Sequence, residues 1–339
     1  MEKYLRKCLD SLIVSDENMQ RLEVLVINDG SKDSSSQIAH EYEAKYPQTF
    51  RVIDKENGNY GSCINRGLKE ATGKYVKVLD ADDYFGRDVF DDYLTELSNM
   101  EDEVDLIITD YCQVNERGDI TQSPGFTHYL PAGSIFLLER LSESKEMVLR
   151  LIHQNITYRT DNLRRINYRQ TEAISYTDNE WVFKPAVTVE KVKYFPYCLY
   201  FYFIGREGQT FDPKVFRKSI GQRETVMHSM ADYYSANAST CSPLSRKFMK
   251  ARLVSRLAFL YYYHLCIIGT RSSCDTLLKF DNELKSKCPD VFEDLANVSD
   301  KLKIRYIRNW RKSGYNINTL SIRFLKVKEY LKSLMHIKR

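Results

Sequence analysis

The sequence predicts an α/β protein: a mainly parallel sheet flanked by helices, followed by a C-terminal helical extension. Two short apolar runs, residues 22–27 and 74–79, each end in an acidic turn, Asn28-Asp29-Gly30-Ser31-Lys32-Asp33-Ser34 and Asp80-Ala81-Asp82-Asp83. Segments of helical character alternate with such runs, the pattern of a parallel sheet. From about Pro213 onward the apolar residues recur at helical spacing instead.

Taken in order, residues 22–27 form a buried strand, 34–46 a helix, 50–53 a strand and 61–71 a helix. Residues 74–79 make the next strand and 88–97 the next helix. Residues 105–109 read as a strand, followed by Tyr111-Cys112-Gln113-Val114-Asn115 and the turn Glu116-Arg117-Gly118-Asp119. Residues 199–204 form another strand. Residues 214–234 and 245–268 are helical, with Leu253, Leu257, Leu260 and Tyr261 on a buried face. The cluster Phe259-Leu260-Tyr261-Tyr262-Tyr263 reads as core or interface rather than as a carbohydrate platform.

Both acidic turns follow strands. In open α/β sheets ligands gather beyond the carboxyl ends of strands, so Asp29 and Asp80 to Asp82 are expected to line one crevice. Aspartate oxygens are hard ligands suited to Mg²⁺ or Mn²⁺, and such a cation neutralises a diphosphate, which implies a phosphorylated substrate. The same residues have a simpler use: Asp80 can start a turn, and Asp82 or Asp83 can cap the helix of residues 88–97.

At 339 residues and 43% hydrophobic content, the chain can bury one large α/β core plus an extension. No apolar stretch approaches the ~20 residues that span a bilayer, and Met1 is not followed by a signal-peptide core. The eight cysteines are scattered without CxxC pairs, which argues against a zinc site or a disulfide framework and leads us to expect a reducing cytoplasm. Residues 301–339 hold twelve Lys or Arg and a single acid, Glu329, for a formal charge of +11 against +4 for the whole chain. Such asymmetry suits an anionic membrane surface, reached from the cytoplasmic side; no motif that reads nucleic acid accompanies it.

Three blocks, in their order and spacing, resemble the nucleotide-binding half of a family-2 glycosyltransferase of the inverting GT-A type. They are Tyr4-Leu5-Arg6-Lys7-Cys8-Leu9-Asp10-Ser11-Leu12, Asn28-Asp29-Gly30-Ser31 with Asp33, and Glu56-Asn57-Gly58-Asn59-Tyr60-Gly61-Ser62 leading through Asn65 and Gly67 to Leu79-Asp80-Ala81-Asp82-Asp83. The resemblance implies that Asp29 binds the nucleotide base, Asp80 the ribose side of the donor and Asp82 the divalent metal, Mn²⁺ or Mg²⁺, with Asn57 in the donor-binding set. It further implies a GT-A-like domain over residues 1–212, with a donor half of about 1–110 and an acceptor half of about 111–212. Residues 213–339 then form the helical extension with its basic tail.

Residues Ser175-Tyr176-Thr177-Asp178-Asn179-Glu180-Trp181-Val182-Phe183 look like a variant of the family's acidic helix start, which supplies the catalytic base. Glu180, three residues before Phe183, is the first choice and Asp178 the second; both can instead serve the helix end as cap and first-turn acid. The loop Gly205-Arg206-Glu207-Gly208-Gln209-Thr210 resembles the family's lid, with Arg206 able to give paired donors to a diphosphate or to stand as a solvated turn residue. The implied reaction moves a sugar from a nucleoside diphosphate sugar, a UDP-sugar, to a hydroxyl of a glycan or lipid-linked acceptor in cell-envelope glycan synthesis.

The chain departs from the family pattern twice. Ile64 stands where members usually carry an Arg, and the usual first strand with its Pro-x-Tyr-Asn-like turn is missing before the helix matching residues 4–12, as expected of a truncated reading frame. Two rivals follow: a catalytically impaired homologue acting as an interaction module, and an aspartyl phosphatase of the D-x-D type. The phosphatase needs a Thr shortly after its acids, where this chain has Asp83-Tyr84.

Overall fold

The computed structural model describes residues 1–205 and 219–336. Two compact units are present, one of Met1–Val226 with Ser242–Phe248 and one of Met227–Cys241 with Met249–Arg339.

In the first unit, β1 (Val24–Asp29) and β2 (Phe50–Lys55) pair in parallel, in register from Val24 opposite Phe50 to Asp29 opposite Lys55. The β-branched residues Val24, Val26 and Ile27 favour the extended chain. Helices Glu2–Asp10, Ser35–Lys45 and Asn59–Glu70 accompany this pair. Among the described residues no strand precedes Glu2–Asp10, and β1 pairs with β2 alone. The strand stops at Gly30, whose φ of +70° few side-chain-bearing residues tolerate.

Seven further strands make one mixed sheet: β3 (Tyr75–Val76), β4 (Tyr84–Phe85), β5 (Leu106–Val114), β6 (Ile120–Gln122), β7 (Ile135–Leu137), β8 (Ile156–Arg159) and β9 (Lys191–Phe203). Their order is β3-β8-β5-β9-β4, with β6 on β5 and β7 on β9. Among the described residues parallel pairing is confined to β1–β2 and β5–β9, and the other pairings are antiparallel. β5 is central and apolar, with Ile107 and Ile108 fully buried, and its surroundings include Leu9, Phe50, Phe85, Phe90 and Leu199 in one core.

Two features differ from expectation. The run 74–79 pairs as a strand only at Tyr75 and Val76. Past them Lys77 turns its ammonium inward to the carbonyl oxygens of Gln154 (2.8 Å) and Ile156 (3.3 Å), and burial pulls its pKa down to about 7. The scattered cysteines do yield one disulfide, Cys112 on β5 with Cys198 on β9, at a Cα separation of 6.0 Å. Parallel pairing of strands far apart in sequence brings the two together, which no local spacing announces. The register of β9 slips around Asp110, which faces Cys198, while Tyr111 faces Tyr200. Such bulges re-aim side chains, and here they set Tyr200 and Phe203 beside the acidic turn.

The second unit is helical: the helix Pro243–Tyr262, which belongs to it from Met249 on, continues into the π-helical turn Tyr263–Ile268, then come Arg271–Lys287, Pro289–Asn297, Tyr306–Lys312 and Leu320–His336. Leu253, Leu257, Leu260 and Tyr261 are buried as their spacing predicts. Arg311 meets the fully buried Asp281 at 2.6 Å, and Tyr261 donates to the same carboxylate, so the buried charge is both paired and hydrogen-bonded.

Candidate active site

Asp29 ends β1 directly opposite Lys55, the last residue of β2, and the two form an ion pair. The Lys55 ammonium also donates to Ser62 Oγ at 2.8 Å, and the Gly58 N–H donates to Asp29 Oδ1 at 2.9 Å. Burial raises the Asp29 carboxyl, but Lys55 and Gly58 outweigh it and hold the group below the usual carboxylate range. Asn57 donates through Nδ2 to the Asp29 carbonyl at 3.1 Å, so it shapes the same turn.

The second acidic turn sorts its carboxylates by direction. Asp83 points inward: Tyr200 donates to its Oδ2 at 2.6 Å and the Phe203 N–H to its Oδ1 at 2.8 Å. Burial, and after it the charge of Asp80, push the Asp83 carboxyl up to about 8. Asp80 faces His153, with Nε2 to Oδ2 at 2.9 Å, while its own N–H donates to Tyr200 Oη at 3.1 Å. Asp82, between them, is half-buried.

His153 lies in the short 3₁₀ turn His153–Asn155 just before β8 and is buried. Burial opposes its charging, yet the Asp80 carboxylate, with help from Asp178 and Asp83, raises its pKa above the ordinary histidine value. Its Nδ1 is buried with no hydrogen-bond partner among the described residues. Tyr60 sits edge-on to the imidazole at 6.1 Å between ring centres.

Asp178 opens the helix Asp178–Phe183 and is half-buried. Its charge acts on Tyr60, His153 and Tyr202, which puts it in the same neighbourhood as Asp80. Glu180 turns the other way and is fully buried: its carboxylate accepts from the Thr171 N–H at 2.7 Å and Thr171 Oγ1 at 2.8 Å, and pairs with Lys184 at 2.9 Å. The loop it holds is clamped to the helix Asn59–Glu70. Gln170 and Asn65 exchange two hydrogen bonds, at 2.8 and 2.9 Å, and a Cβ on Gly61 would stand 2.0 Å from the Thr171 carbonyl oxygen. Gly61 and Asn65 of the sequence motif therefore serve a backbone junction.

Of the residues singled out from sequence, Asp80, Asp82 and Asp178 share one neighbourhood, with His153, Asp83 and Tyr200 added to it. Asp29 is engaged by Lys55, by the Gly58 N–H and, through its carbonyl, by Asn57. Arg206 lies outside the described residues. No group of three or more His, Cys, Asp or Glu side chains among the described residues is arranged to hold a metal by itself. One or two carboxylates such as Asp82 and Asp80 nevertheless suit a cation that keeps waters and takes its other ligands from substrate phosphates.

Comparison with known proteins bears on the fold that carries these residues. Over 98% of its length the chain superposes on the structure of S. aureus TarS residues 1–349 in complex with UDP-GlcNAc, covering 89% of that chain with a TM-score of 0.70 at 19% identity. The fold is that of the GT-A transferases with a helical C-terminal region. Residues 1–168 match the family described as "Glycosyl transferase family 2", and this part of the chain belongs to that family. Among curated relatives, the putative glycosyltransferase EpsH of Bacillus subtilis is 28% identical over 230 residues, 66% of this chain and 64% of EpsH. The minor teichoic acid biosynthesis protein GgaB of the same organism is 33% identical over 107 residues, 32% of this chain and 12% of GgaB. The chain thus spans under two thirds of the length of the curated relatives it matches.

Proposed function

We propose that this protein transfers a sugar from a nucleoside diphosphate donor to a hydroxyl of a glycan or lipid-linked acceptor, with inversion at the anomeric carbon, in the synthesis of cell-envelope glycans. The observation that carries the reading is the Asp80–His153 pair beside the acidic turn, with the half-buried Asp178 close enough for its charge to act on His153. UDP-GlcNAc, with which TarS was solved, motivates a UDP-sugar as the first donor to try. The relationship to GgaB motivates an envelope polymer as the acceptor class.

In this reading Asp178 is the base. The acceptor oxygen attacks the anomeric carbon, its proton passes to the Asp178 carboxylate, and the bond to the diphosphate breaks with its electron pair leaving on the nucleotide. Glu180, favoured by spacing, has its carboxylate committed to Thr171 and Lys184 and is sealed from solvent, so we give it the positioning of the loop that abuts Gly61. Asp29, with Asn57 bracing its turn, would contact the base, and Asp80, oriented by His153, the ribose side. Asp82 would hold Mn²⁺ or Mg²⁺, which when bound supplies charge neutralisation to the leaving diphosphate. Arg206 remains a proposed diphosphate contact.

The test is transfer from a panel of labelled UDP-sugars, with Mn²⁺ present, to envelope-glycan acceptors. Release or transfer of sugar supports the reading. A well-folded protein inert across the panel, yet binding UDP, would favour the impaired-homologue alternative.

A further inference from the structure

In the second unit the helix Leu320–His336 has apolar residues on two faces. Ile322 and Leu325 point inward and are fully buried. Lys326 donates to the Gly269 carbonyl at 3.0 Å, and Tyr262 donates to Glu329 at 2.7 Å, so this face is fixed against the π-helical turn and its flanks. Leu320, Phe324 and Val327, spaced along the opposite face, are 86%, 53% and 57% exposed. They line an open groove of about 810 Å³ together with Lys303, Arg305 and Arg323.

An exposed apolar stripe rimmed by charge marks an interaction surface. Two carboxylates on or near it are already committed, Asp300 to Lys328 at 3.0 Å and Glu329 to Tyr262. No ion pair engages Lys303, Arg305 or Arg323 among the described residues. A second copy of the chain is a poor occupant, because a two-fold contact would set these like charges face to face. An anionic bilayer satisfies both halves of the surface, its headgroups meeting the cations and its acyl boundary the apolar stripe. No described helix is long and apolar enough to cross a membrane, so the fit is attachment along the surface.

We infer that the groove formed by Leu320, Phe324 and Val327 with Lys303, Arg305 and Arg323 docks the protein on an anionic lipid surface. The inference extends the transferase reading, in which a lipid-linked acceptor is reached at a membrane, but the contact itself needs no donor.

The test is co-sedimentation of the full chain with phosphatidylcholine vesicles, with and without phosphatidylglycerol, in the absence of nucleotide. Binding to the anionic vesicles is expected to fall with added salt, and to weaken at least tenfold both in Phe324→Ser/Val327→Ser and in Lys303→Glu/Arg323→Glu. All four positions are exposed, so the variants should keep the thermal stability of the parent. Equal binding by parent and variants, or by neutral and anionic vesicles, overturns the inference. So does a concentration-dependent dimer that the Ser variant disperses, or capture by an acidic protein without vesicle binding. Transfer to a water-soluble acceptor, measured in parallel, separates the two readings: intact transfer without vesicle binding removes only the docking surface, and vesicle binding without transfer removes only the transferase.

Discussion

His153 Nε2 and Asp80 Oδ2 lie 2.9 Å apart, a histidine just ahead of β8 bound to a carboxylate of the turn that follows β3. The pair holds Asp80 in one orientation. Because the folded-state pKa of His153 is raised, its contribution to stability is fully present below the unfolded value, about 6.5, and is lost as pH rises through the folded value. His153→Gln should therefore lower stability by about 1–3 kcal/mol in mildly acidic solution and by less in alkaline solution. Urea denaturation of parent and variant across that range measures it; a difference that grows with pH would contradict the assignment.

Asp178→Asn should cut kcat by roughly 10²–10⁴ while leaving UDP affinity in place and costing no more than about 0.3–1 kcal/mol of stability, since the isosteric amide keeps an oxygen for the Asn179 side chain and loses only the proton acceptor and the first-turn charge. Steady-state kinetics with calorimetric UDP binding separates the two effects. Full turnover in this variant would return the base to Glu180.

Glu180→Gln tests the complementary role. It strips the charge from a buried carboxylate paired with Lys184, a change that costs about 3–5 kcal/mol when one partner of a buried pair is removed. The expected reading is a lower urea midpoint. Unaltered stability with abolished turnover would show a chemical rather than a positioning role.

Asp82→Asn should abolish the Mn²⁺-dependent part of UDP affinity with the fold intact. Titration of UDP with and without Mn²⁺ reads this directly, and an unchanged metal dependence refutes the assignment.

Gly61→Ala should destabilise by about 1–3 kcal/mol, because the added methyl would stand 2.0 Å from the Thr171 carbonyl oxygen and must push the loop off the helix. A loss of activity that tracks this shift would tie the junction to the site.

Much of this was legible in the sequence because it is local. Apolar runs ending in Asp29 and near Asp80, and helices at Ser35–Lys45, Asn59–Glu70 and Arg87–Asn99, follow from period and turn chemistry. His153 was not legible: it meets Asp80 across 73 residues, and nothing around it marks it out. Nor was the split between Asp178 and Glu180, since which of two acids on one short helix faces inward depends on Thr171 and Lys184 arriving from either side. The Cys112–Cys198 bond and the slipped register of β9 are likewise products of long-range pairing.

The dependence of Asp83 on Tyr200 and Phe203 has a consequence for how the protein comes into being. The turn emerges from the ribosome some 117 residues before Tyr200, so its shape must wait for a strand not yet synthesised. A nascent chain, or a fragment clipped ahead of Lys191, would carry the whole acidic signature and still lack the scaffold that sorts its carboxylates.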